Sequence, residues 1–124
     1  SDVYKRQTEN YAGDFPFWLA PEQIRLLPVT DEVLPYAESL LSSLKGRGIR
    51  ASIDRSGDRL GKLIRNGEQQ KIPLLGVIGA KEAEAGAVSL RSRRDGDLGS
   101  IDSTRLIAAA SLANSERSAT LALD

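Results

Sequence analysis

IDRSGDRLGKLIRNGEQQKIPLLGVIGAKEAEAG, residues 53–86, is the stretch whose reading decides the fold. In order it is a strand end, a turn (RSGD, 55–58), a helix, a strand and a polar loop. From about 59 to 70, Leu60, Leu63, Ile64 and Gly67 recur at 3.6-residue spacing and fall on one side of a helix. Asp58, Lys62, Arg65 and Gln69 fall on the other, so Arg65 is directed away from the apolar stripe. Pro73 marks the exit. LLGVI at 74–78 is nearly all apolar, which suits a central strand buried on both faces. GAKEAEAG at 79–86 reads as a polar loop, with one helical turn as the alternative.

Upstream, residues 22–29 form a strand carrying Ile24, Leu26 and Leu27. Thr30 and Asp31 are helix-start residues. Val33, Ala37, Leu40, Leu41 and Leu44 then define one buried helical stripe. Pro35 lies near the helix start, where proline costs little. Gly46 and Gly48 end the helix. IRASI at 49–53 alternates as a second strand, and the helix between implies parallel pairing with the first. Downstream, Val88 and Leu90 alternate with Ser89 and Arg91 in another strand. SRRDG at 92–96 is a basic turn. LGSI at 98–101 is either a last short strand or a lead into a final helix, capped by Asp102 or Ser103, with Leu106, Ile107 and Ala110 as its apolar face. The order β-α-β-α-β-β-(β)-α predicts a three-layer α/β/α domain, with a mixed sheet of about five strands and three flanking helices. The expected boundaries are an unstructured leader or fragment edge at 1–8, an extended linker at 9–21, the folded domain at 22–113 and a frayed tail at 114–124.

The whole chain narrows the chemistry. Its 124 residues fit one core, with 40% hydrophobic and 27% charged residues. There is no Cys and no His. That excludes disulfides, thiolate metal sites and every Ser-His or Cys-His nucleophile pair. Seventeen basic residues balance seventeen acidic ones. This argues against non-specific coating of nucleic acid, which needs a basic excess, but not against reading a few bases through a local patch. No run is long and apolar enough to span a membrane and no signal peptide is visible. The expected location is therefore cytoplasmic, or an organelle interior.

Several motifs have competing readings. GDRLGKL at 57–63 has three residues between its glycines and Leu63 after the lysine. A phosphate-binding loop needs four, and a Ser or Thr. Gly57 and Gly61 are instead expected to serve a turn and close helix–sheet packing. GVIG at 76–79 suits a strand with close backbone approaches. Glu82 and Glu84 read as solvated loop charges rather than an acid–base pair. The aromatics Tyr11, Phe15, Phe17 and Trp18 read as an arm packed on a neighbouring surface rather than a base-stacking platform, because no basic residue interleaves them. Arg50, Arg55, Arg59, Lys62, Arg65 and Lys71 outnumber Asp54, Asp58 and Glu68 two to one, and Arg91, Arg93 and Arg94 form a second patch. Solvated helix faces and RNA contact both fit these clusters.

An ordered series of short motifs resembles the C-terminal anticodon-binding domain of threonine–tRNA ligases. YAGDFPFWLAP at 11–21 is similar to the segment by which that family leaves its catalytic domain. LGKLIR at 60–65, KIP at 71–73, GAKE at 79–82, EAG at 84–86, VSLR at 88–91 and DLGS at 97–100 follow in the family's order, covering roughly 9 to 112. The series fits this ligase better than its prolyl, histidyl or glycyl relatives, and its Asp-Arg-Ser-Gly loop looks closest to cyanobacterial and plastid versions. The resemblance implies an α/β domain that binds the anticodon loop of threonine tRNA, with Arg65, Glu82 and Arg91 at base-reading positions. It makes Lys62, Lys81 and Arg93 secondary RNA contacts. Arginine can donate two parallel bonds to guanine, a carboxylate accepts from a base N–H, and an anticodon loop offers unstacked bases. Gly57-Asp58 stands where many members have Asn-Glu, a position at which an Asn would contribute to base reading.

The resemblance also implies no catalytic, cofactor or metal site in this chain. ATP and zinc belong to a catalytic domain that the chain lacks, so the chain alone should not aminoacylate. Residues 9–21 would be the linker from that domain, which would be the chain's other partner. The piece is expected to be monomeric and the parent enzyme homodimeric. The alternative is a stand-alone protein-interaction module of the same fold without RNA reading.

Overall fold

The stripe Val33, Ala37, Leu40, Leu41 and Leu44 is buried in the computed structural model, which describes residues 17–93 and 96–117. It lines helix α1 (Leu34–Gly46), entered through a 3-10 turn at Asp31–Val33. Pro35 falls in the first turn of α1, where its missing N–H has no intrahelical partner to lose. Strand β1 (Ile24–Pro28) precedes α1, and β2 (Ala51–Ile53) follows it. Helix α2 (Leu60–Gln69) leads to β3 (Leu74–Ile78). Then come α3 (Ala80–Ala85), β4 (Ala87–Ser92), β5 (Gly96–Asp102) and α4 (Ser103–Glu116).

The five strands make one sheet in the order β2-β1-β3-β4-β5. β1 pairs parallel with both β2 and β3, whereas β3–β4 and β4–β5 are antiparallel. Side chains alternate across the sheet. Ile24, Leu26, Leu74, Ile78, Val88 and Leu90 point to the side of α1 and α4, where they meet Leu44, Leu106, Ala110 and Ala113. Leu27 and Leu75 point to the other side, under Leu63 of α2 and Ile72. Among the described residues the first cluster holds eighteen buried side chains and the second four. At about 1.5–3 kcal/mol per large buried side chain, the α1/α4 side carries most of the stability. α2 is held by a small core of its own.

Three expectations change. Ala80–Ala85 is helical where a loop over 79–86 was the first reading, so four helices flank the sheet instead of three. Glu82 Oε1 accepts the Gly79 N–H at 2.8 Å, and Gly86 (φ +67) takes the left-handed exit, so short-range caps make α3 without an apolar stripe. The helix expected to fray after Ala113 continues to Glu116. Asn114 and Gln23 exchange amide hydrogen bonds, with Asn114 Nδ2 donating to Gln23 Oε1 at 3.2 Å. Gln23 is fully buried, and its Nε2 also donates to the Phe17 carbonyl at 2.8 Å. Finally, Phe17–Leu19 is a 3-10 turn inside the stretch expected to be extended. Phe17 is buried in the main core, and Arg117 lies 5.7 Å from the Trp18 ring centroid. These two aromatics are thus packing residues. Tyr11 and Phe15 lie outside the described residues, as do residues 1–8 of the expected leader.

Candidate nucleic-acid interface

Arg91 is the fifth residue of β4, directly opposite Leu75 of β3. Residues paired in this way share a face of the sheet. Leu75 packs under α2, so Arg91 rises on the α2 side. Ser89 pairs with Val77 and with Ser100 and lies on the same side. The helices next to β4 and β5 are α3 and α4, and both contribute to the opposite cluster through Ala83, Leu106 and Ala110. Ser89 and Arg91 are therefore only half-buried, and Ser100 is exposed. The result is an open sheet shelf beside α2.

Arg65 lies mid-way along α2 on its exposed side, as the helical spacing predicts. Among the described residues, neither Arg65 nor Arg91 has a side-chain hydrogen bond or ion pair. Both guanidiniums are free to donate to an external acceptor, and the fold brings both to the α2 side of the sheet. Glu82 stands elsewhere, in the first turn of α3 at the end of β3. Its Oε1 caps Gly79 and so fixes the carboxylate at this rim, while Oε2 accepts nothing among the described residues.

The secondary positions divide in the same way. Lys62 is exposed, with Nζ 3.7 Å from Asp58 Oδ2. Lys81 is exposed on α3, away from the shelf. Arg93 is half-buried in the turn after β4, where its backbone N–H donates to the Pro73 carbonyl at 3.0 Å. Arg94 lies outside the described residues. Two members of the first basic cluster serve the fold instead. Arg50 donates from Nε to the Ala20 carbonyl and from a terminal nitrogen to the Trp18 carbonyl, each at 2.8 Å. Arg55 pairs with Glu38. Ser89 and Ser100 were not selected from sequence. The alternation of 88–91 already placed Ser89 beside Arg91, and that was the signal available.

A cleft of about 250 Å³ opens at the ends of β1 and β2, lined by Pro28, Thr30, Asp31, Asp54, Arg55 and Gly57 among others. Here the chain leaves β1 for α1 and β2 for α2 on opposite faces, the position at which α/β sheets commonly take ligands. Gly57 (φ +76) makes the turn at its rim, as expected. Among the described residues, no group of three Asp or Glu side chains is placed to hold a metal ion. No described helix is long and apolar enough to cross a membrane.

This architecture has known counterparts. A family model described as "Anticodon binding domain" matches residues 23–111. The threonine–tRNA ligase of Synechococcus sp. (strain CC9311) is 76% identical over 117 residues, which is 94% of this chain and 19% of that protein. The threonine–tRNA ligase of Thermosynechococcus vestitus is 64% identical over 100 residues, 81% of this chain and 16% of that protein. The chain thus spans about a fifth of the length of the curated relatives it matches. Among solved structures, the RNA binding domain of threonyl-tRNA synthetase from Cryptosporidium parvum Iowa II superposes with a TM-score of 0.78 at 30% identity. It covers 94% of this chain and 28% of that one. A prolyl-tRNA synthetase from Cryptosporidium parvum shares the fold, with a TM-score of 0.70 at 23% identity over 82% of this chain and 23% of that one. These relatives do not favour a stand-alone interaction module. The chain belongs to the anticodon binding domain family, in the form carried by the threonine–tRNA ligases it resembles.

Proposed function

We propose that this chain reads the anticodon loop of threonine tRNA for a threonine–tRNA ligase whose catalytic domain lies outside it. The observation that carries this reading is the pair Arg65 and Arg91. They are unpartnered among the described residues, and both are on the α2 side of the sheet, one on the helix and one on the open shelf. In this reading Arg91 donates to a base edge from the shelf, and Arg65 donates to a base or phosphate from α2. Glu82, held by the Gly79 N–H, accepts a base N–H at the rim. Lys62, Lys81 and Arg93 add contacts to the RNA backbone, which position the loop without reading it. A neutral chain can work in this way because few contacts are asked of it. ATP and zinc would act in the catalytic domain, the domain is a monomeric piece of a homodimeric parent, and the setting is cytoplasmic or a plastid interior.

The direct test is a titration of the chain with a threonine-tRNA anticodon stem-loop, beside the same loop with its central guanine replaced. Tighter binding to the unaltered loop is the expected result. Equal affinity for the two loops contradicts base reading.

A further inference from the structure

Arg25 is a charged side chain in a strand paired on both sides, where an apolar one is the usual choice. It stands in register with Ser52 of β2 and Leu75 of β3, so it shares the α2 face of the sheet with Leu75. Its side chain is only 11% exposed. Glu22 accepts from Arg25 Nε at 2.8 Å and from one terminal nitrogen at 3.2 Å, and it also accepts the Ser52 hydroxyl. The same terminal nitrogen of Arg25 donates to Gln70 Oε1 at 2.6 Å. Gln70 is the residue that caps the C-terminal end of α2. One polar chain thus runs from the edge strand, through β1, to the end of the helix that carries Arg65.

What this chain adds to α2 is direction. The helix is seated by the small cluster Leu27, Leu63, Ile72 and Leu75. It lies close on the sheet at Gly67, where a Cβ would come within 2.5 Å of Leu75 Cδ2, a close packing expected from sequence at Gly61. Apolar burial is non-directional, so a short helix held this way can turn about that contact. Gln70 is three residues on from Gly67 and faces the sheet with it, one turn away. Its bond to Arg25 fixes the helix about the contact, because a hydrogen bond weakens steeply once misaligned. Arg65 moves with α2, whereas Arg91 belongs to β4 and does not. We propose that Arg25, held by Glu22, is a positioning residue: through Gln70 it sets the angle of α2 over the sheet, and so the place from which Arg65 meets RNA, without touching RNA itself. This inference rests on the anticodon-reading function proposed above.

The test is a double-mutant cycle of Arg25→Met and Arg65→Ala in the whole chain. Kd is read for the threonine-tRNA anticodon stem-loop and for the loop with its central guanine replaced. Methionine keeps the apolar stem of Arg25 and drops its donors. Arg25→Met should weaken binding of both loops by the same factor, about threefold to tenfold, as one lost hydrogen bond allows. The preference for the unaltered loop should persist, because Arg91 stays in place. In the Arg65→Ala background, Arg25→Met should weaken neither loop further. Gln70→Ala removes the same bond at an exposed position with no change of charge, and it should repeat the whole pattern at the Tm of wild type. It carries the cycle by itself if Arg25→Met does not fold. A loss of equal size with and without Arg65, or wild-type affinity in a folded Arg25→Met or Gln70→Ala chain, overturns the positioning role and leaves anticodon reading standing. A wild-type chain that binds the two loops equally overturns both.

Discussion

Gln23 shows how much of the molecule rests on single polar side chains. Its amide lies at the start of β1, fully buried, and joins the Phe17 carbonyl, the Arg50 N–H and the Asn114 amide. Gln23→Leu would leave the buried Phe17 carbonyl and the part-buried Arg50 N–H and Asn114 amide without this partner, at a cost of about 1–3 kcal/mol. The urea midpoint should fall accordingly with an unchanged m value. Nothing in the sequence marks this role, because Asn114 lies 91 positions away. Arg50 is a similar case. Its charge put it in a candidate RNA patch, yet its guanidinium ties down the carbonyls of Trp18 and Ala20. A charged residue's neighbours in sequence do not reveal which loop it holds in space. Tyr36 is a third such residue, since its hydroxyl donates to the Ala87 carbonyl at 2.9 Å and so fastens α1 to β4. Burial raises its pKa above 10.0, a Ser103 hydrogen bond lowers it, and the Asp102 charge raises it further. The unfolded tyrosine therefore loses its proton first as pH climbs. Its stabilising contribution is complete below pH 10 and is lost as pH rises through the higher folded value. Tyr36→Phe should cost about 0.5–1.5 kcal/mol at neutral pH for the hydrogen bond. It should also flatten the fall in stability above pH 10, as followed by urea melts across alkaline buffers.

Elements were legible where an apolar period was present. The α1 stripe and the α2 face were both plain, because a helix that buries one side must repeat its apolar residues every 3.6 positions. β3 was legible for the opposite reason, since a strand covered on both faces is apolar throughout. α3 and β5 had no such pattern. α3 has no fully buried side chain and is made by its caps. β5 is mostly exposed, interrupted by a register shift opposite Leu90 and Arg91, and exists because it completes the edge of β4. Gly76 tests the packing of the central strand directly. A Cβ there would come within 2.8 Å of Val88 Cγ1 and 3.0 Å of Leu26 Cδ2, on the strands to either side. Gly76→Ala should therefore destabilise by about 1–3 kcal/mol through overpacking, read as a lower Tm. An unchanged Tm would mean that β4 and β1 can move apart at no cost.

At the scale of the molecule, the strand order followed from connectivity. Two β-α-β units impose parallel pairing, and the tight succession of β3, α3 and β4 returns the chain antiparallel. The candidate site was only partly legible. Spacing placed Arg65 on the outer face of α2, and alternation placed Arg91 with Ser89. That both reach one side of the sheet depends on the register Leu75↔Arg91 and on α2 covering Leu75, which are long-range facts. The same register separates Glu82 from the arginines, on a short helix whose Ala83 belongs to the other core. The central claim is that this shelf reads a base. It is tested most directly by measuring both anticodon stem-loops, unaltered and with the central guanine replaced, against wild type and Arg91→Ala. The account predicts that wild type prefers the unaltered loop and that Arg91→Ala loses about 1–3 kcal/mol on that loop alone, erasing the preference. A preference that survives intact in a folded Arg91→Ala chain would contradict it.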